Sequence, residues 1–202
     1  MENNKVKNEL NSLINSEIAK IENGDRNESN VAKMTYLKIV ASSIIESLPR
    51  IGSSREKDEE VMRWRYACNE IKWLETLLMQ GQTIAVQNRI SEIESLENSN
   101  PAQFAKLLNE LEILKLYRDV IKANYYKSIS NYEEMMKERK QVESEGINVS
   151  DLKLSAKEII SNVKKLDDEA KMLFWEEYFK VAGEHIYSNE KAQTFSAGMM
   201  GE

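Results

Sequence analysis

Between Pro101 and Val142 the chain carries no glycine and no second proline, and the next residue that breaks a helix easily is Gly146. Asn100 followed by Pro101 is a strong helix start: an asparagine N-cap, then a proline where the missing N–H costs nothing. Phe104, Leu107, Leu108, Leu111, Leu114, Ile121, Tyr125, Tyr132, Met135, Met136 and Val142 follow in steps that are mostly three, four or seven. Those steps keep one helical face apolar. The pattern predicts one helix over 101–142, roughly 60 Å long at 1.5 Å per residue. A rod of that length serves as a spine for other helices or projects to meet a partner.

The rest of the chain reads as helices of the same kind. Val6, Leu10, Leu13, Ile14, Ile18 and Ile21 form a stripe that ends at Asn23-Gly24, where glycine suits a left-handed cap. The polar GDRNESN is expected to be a loop, with Ser29 or Asn30 capping a second helix that Pro49 ends. Ser53 with Glu56 makes an S-x-x-E capping box, and the helix it opens is predicted to stop at Gly81. A fourth helix is placed at about Thr83 to Leu96. Ser155 with Glu158 is a second capping box, opening a last helix that reaches Ile186 and packs antiparallel on the Tyr117 to Val142 segment. The expected fold is therefore all-α, a bundle of about six helices with a long central helix and a C-terminal antiparallel helical hairpin. Its parts are placed at 1–116 (N-terminal bundle), 117–187 (hairpin arm) and 188–202 (a tail read as extended or disordered).

Composition narrows the function classes. Charged residues make up 31% and hydrophobic ones 41%, enough to bury a core. A net charge of −6 argues against general nucleic-acid binding but leaves room for a local basic patch. The lone Cys68 excludes an internal disulfide and fits a reducing compartment. MENNKVKNELNSL lacks the apolar core of a signal peptide, and no apolar run approaches the roughly 20 residues of a membrane span. A cytoplasmic protein is expected, or a virion-internal one if the source is viral, without a membrane partner.

Enzymatic machinery is not expected. His185 is the only histidine, so a Ser-His or Cys-His pair must use it, with Cys68 or a serine as nucleophile. Its place near a helix end suits a cation on the dipole. A helical di-iron site needs two E-x-x-H motifs, and Ala182 stands three residues before His185. Phosphate-binding glycine loops are absent. No catalytic residue, cofactor, metal or small-molecule substrate is assigned.

Two partner surfaces remain. In MRWRYACNEIKW, Arg63, Arg65 and Lys72 alternate with Trp64, Tyr66 and Trp73, a mixture that holds RNA backbone and stacks bases, with Lys38 as a further cation. Neighbouring helix positions point about 100° apart, so the competing reading buries the tryptophans and pairs the cations with Asp58, Glu59 and Glu75. The other surface is aromatic and apolar: Tyr126 and Tyr132, and in the tail Phe195, Met199 and Met200. The tyrosines serve equally to line a hairpin seam. The leading expectation is a non-enzymatic interaction or assembly protein, an adaptor or structural subunit, binding a protein partner or itself. The alternative is an RNA-binding accessory module.

Three segments carry a family resemblance. MTYLKIVASSII (Met34 to Ile45), SREKDEEVMRWRYACNEIKWLE (Ser54 to Glu75) and LLNELEILKLY (Leu107 to Tyr117) follow the order of similar helices in the GatB/YqeY family, small helical proteins related to the tail of the tRNA-dependent amidotransferase B subunit. The stretch from about Lys7 to Tyr117 resembles that family; the Leu-Pro that follows its tyrosine is replaced here by Arg118-Asp119. The resemblance implies a helical, tRNA-associated or otherwise RNA-associated module with no catalytic residues to carry over.

Overall fold

The computed structural model describes residues 2–186, with side chains from Lys5 onward. The expected tail segment, with Phe195, Met199 and Met200, lies outside the described residues. Within them the fold is all-α, with no strand. Seven α-helices follow in order: α1 Glu2–Asn23, α2 Arg26–Ser47, α3 Ser54–Ser99, α4 Pro101–Ile129, α5 Tyr132–Ser144, α6 Ala156–Val163 and α7 Asp168–His185. Short 3₁₀ turns at Leu48–Arg50 and Ser150–Lys153 join some of them.

The long helix is present, but it is α3, with 46 residues, and not the 101–142 stretch. Gly81 does not end it. Among the described residues only Gly24 and Gly146 take positive φ, so Gly81 keeps a helical backbone. An interior glycine costs about 1 kcal/mol against alanine. Leu74, Leu78, Val86 and Ile90 on either side are all buried, and that packing outweighs the cost. Conversely, the 101–142 stretch breaks at Ser130-Asn131. There the Ser130 hydroxyl donates to the Lys127 carbonyl (2.7 Å) and the Asn131 N–H to the Ser128 carbonyl (3.2 Å). Local bonds of this kind compete with the helical ladder.

Two further boundaries differ from expectation. The GDRNESN loop shrinks to Gly24 and Asp25, because α2 begins at Arg26 and Asn30 is buried. The last helix is split into α6 and α7 by a turn at 164–167. The Asp167 carboxylate accepts the Ala170 N–H at 2.8 Å and so caps a fresh helix.

The chain forms two compact units. The first takes Met1–Glu75 and Tyr132–Glu184; the second is built on Thr76–Asn131. In the first, α6 lies on α2 and α1, and α1 on α2. The first part of the expected last helix, α6, therefore packs on the N-terminal helices. Its core includes Ile21, Met34, Tyr66, Ile159, Ile160 and Tyr178, each at most 1% exposed. In the second, the end of α3 and α4 turn back on each other at Asn100, whose side chain accepts the Gln103 N–H as an N-cap. Val86, Ile90 and Ile93 meet Leu111, Leu114 and Ile121 in one buried cluster. Ion pairs Arg89–Glu110 (2.9 Å) and Lys115–Glu94 (2.8 Å) flank it, and Asn100 alone separates the two helices of this hairpin.

The capping box at α6 forms in full: the Ser155 hydroxyl accepts the Glu158 N–H, and the Glu158 carboxylate accepts the Ser155 N–H. That backbone donor, followed by the hydroxyl, holds the Glu158 carboxyl below its ordinary value. A depressed folded-state pKa stabilises above the unfolded value and is lost as pH falls through the folded one. Ser155→Ala should cost about 1 kcal/mol in a denaturant melt at neutral pH. Glu158→Gln should flatten the acid side of the stability profile; an unchanged profile would mean the box does not hold α6 in solution.

Candidate docking groove

The α2 helix is apolar on more than one face. Val31, Met34, Leu37, Ala41 and Ile44 are buried, which leaves Tyr36, Ile39 and Val40 on other faces. Tyr36 and Ile39 border a groove of about 730 Å³ bounded by α2, α6 and α7. The α7 wall presents Ala170, Leu173, Phe174, Glu177 and Lys180, in helical steps of three and four. Ile159, Val163 and Leu166 come from α6 and the turn after it. Phe174 and Ile159 are buried at the base, whereas Leu173 is 60% exposed, Leu166 42% and Ile39 39%. The α2 and α7 walls each span about three turns, roughly 15 Å.

Charges sit at the rim. Lys38 approaches Glu184 at 3.9 Å and Lys180 approaches Glu177 at 3.8 Å, separations at which exposed pairs contribute little. Beside Lys38, the half-buried Glu75 has its carboxyl pushed up by burial; Lys38 opposes the shift and Glu184 adds to it. With the folded value raised, its contribution to stability is complete below the unfolded pKa and declines as pH rises through the folded one.

The basic-aromatic segment 62–73 is divided between faces of α3. Arg63 donates to Glu60 (2.8 Å) and to Asp151 (2.5 Å). Tyr66 is fully buried; its hydroxyl accepts from Arg139 and donates to Glu143, both at 3.3 Å. Arg139 also pairs with Glu70 at 2.5 Å, and Lys153 with Glu143 at 2.6 Å. Lys153 therefore holds the Glu143 carboxyl low, while burial raises the Tyr66 phenol. Trp64 is half-buried beside Ala41, Ser42 and Ile45, and Trp73 packs on Tyr132 with ring centroids 4.6 Å apart. Arg65 and Lys72 are exposed and seven residues apart, hence on one face. Arg63 lies about 200° around the helix from Arg65.

Of the remaining candidates, Tyr126 is 66% exposed with Tyr125 against its edge at 5.6 Å. Burial pushes the Cys68 thiol up, away from the reactive thiolate. His185 stands in the last turn of α7. Among the described residues no cluster of three or more His, Cys, Asp or Glu side chains is placed to hold a metal ion, and no helix is long and apolar enough to cross a membrane. Sequence reasoning missed the groove. Its signal was present in Ile39, an apolar residue outside the buried stripe of α2, and in the apolar Leu166 and Leu173.

No family model matches the chain, and neither does any curated protein or solved structure.

Proposed function

We propose that this chain is a non-enzymatic interaction or assembly protein and that the groove between α2, α6 and α7 is where a partner's amphipathic helix docks. The observation that carries this reading is the three-turn apolar trough with Leu173, Leu166 and Ile39 left substantially exposed at its lip. Helix-in-groove recognition uses this geometry: anchors at i, i+3, i+4 and i+7 enter an apolar channel while charges at the rim set the register. A helical occupant would cover the apolar side chains of α2 and α7 that stand exposed among the described residues.

A fluorescent amphipathic peptide of about 15 residues, with leucines at that spacing, should bind the protein and raise its anisotropy. Leu173→Asp should abolish binding while leaving the thermal melt in place, since that side chain is mostly in water. Absence of binding, or binding indifferent to Leu173→Asp, would overturn the assignment. The alternative RNA-binding reading would rest on the exposed Arg65 and Lys72, which share one face of α3.

A further inference from the structure

The groove is concave, and two copies of a concave surface do not fill each other. A second surface on the same chain has the opposite shape. On α4, Leu108, Leu116 and Val120 stand on one i, i+4 row that turns away from the buried Leu114, and they are 44%, 52% and 44% exposed. Such rows are the ridges that enter the grooves of neighbouring helices. From 108 to 120 the row is about 18 Å long, close to the three turns of the groove walls. Glu112 occupies the gap in the row; it is exposed, and the rim of the groove offers Lys180, whose side chain is 66% exposed and only loosely paired.

We infer that the occupant of the groove is the α4 ridge of a second copy of this chain, an inference that rests on the docking reading above. Contact between two different patches is heterologous, so each copy keeps one free groove and one free ridge. Association then continues into a ring or a filament instead of stopping at a two-fold dimer. Glu112 of the incoming ridge meets Lys180 and supplies the charge match that fixes its register, while Leu116 and Leu173 make the apolar contact.

The test is complementation between two disabled variants, read by light scattering. Wild type should gain mass with concentration beyond a dimer. Leu173→Asp and Leu116→Asp, each altered at an exposed position, should both stay at the 23.4 kDa monomer mass with unchanged melts. Mixed in equal amounts they should form a dimer and stop, because only one intact groove and one intact ridge remain per pair. Glu112→Lys should weaken association about tenfold or more at low salt, and adding Lys180→Glu to it should restore assembly. Three results would overturn the inference: a monomeric wild type at every concentration, a mixture that stays monomeric, or a Leu116→Asp variant that assembles like wild type. A monomeric wild type that still binds the leucine peptide would defeat the second-copy occupant alone, whereas loss of peptide binding would defeat the docking reading itself.

Discussion

Tyr178→Ala should be among the most damaging single substitutions in the chain, lowering unfolding free energy by about 3–5 kcal/mol for the aromatic ring alone. The ring is fully buried among Phe174, Trp175 and Phe179, with centroids 6.4, 5.1 and 5.5 Å away. Its hydroxyl donates to the Glu17 carboxylate at 2.8 Å, and Glu17, itself 8% exposed, also accepts from Lys20 at 2.7 Å. Burial and the adjacent carboxylate together drive the phenol far above its ordinary pKa, so it stays a donor throughout the accessible pH range. Tyr178→Phe isolates that donor. It should cost about 1–3 kcal/mol, because a buried acceptor loses its partner. Combining Tyr178→Phe with Glu17→Gln should cost less than the sum of the two, since the carboxylate is then no longer left charged and under-bonded. Chemical denaturation of the four proteins measures this directly. A Tyr178→Phe variant as stable as wild type would mean that water reaches Glu17 in solution.

Leu114→Ala should remove about 2–5 kcal/mol from the hairpin of α3 and α4. Leu114 is fully buried between the two helices, in a cluster of six buried residues. A two-helix core has few neighbours able to close a cavity, which favours the upper part of that range. Hydrogen exchange gives the sharper reading: amides around Val86 to Ile93 and Leu111 to Ile121 should lose protection more than those of α1, α2 and α6. Uniform loss of protection would mean that the two units open as one cooperative body.

Much of the local structure was legible. The Ser155 capping box, the Ser53 hydroxyl that accepts the Glu56 N–H, the Asn100-Pro101 start, the Gly24 cap with φ of 85° and the all-helical class all follow from short-range chemistry. Helix continuity did not follow. Gly81 reads as a stop, and the apolar pattern over 101–142 runs through Ser130-Asn131 without one. Whether either ends a helix depends on what packs against it, which a single sequence does not display. The groove escaped for a related reason. An apolar residue such as Leu173 carries the same periodic signal whether a neighbouring helix covers it or water does.

By itself, the sequence determined that this chain is helical, where α3, α4 and α6 begin, and much of which side of each is apolar, because those properties come from backbone propensity, capping and a 3.6-residue period. Tertiary structure alone decided that α6 lies on α1 and α2, that Glu17 meets Tyr178 across 161 positions, and that Arg63 is spent on Glu60 and Asp151. It also decided that Leu116 and Leu173 stay in solvent. These outcomes depend on which apolar faces find each other when the chain collapses. That competition among many similar amphipathic helices is settled by shape, buried area and the partners available to each charge.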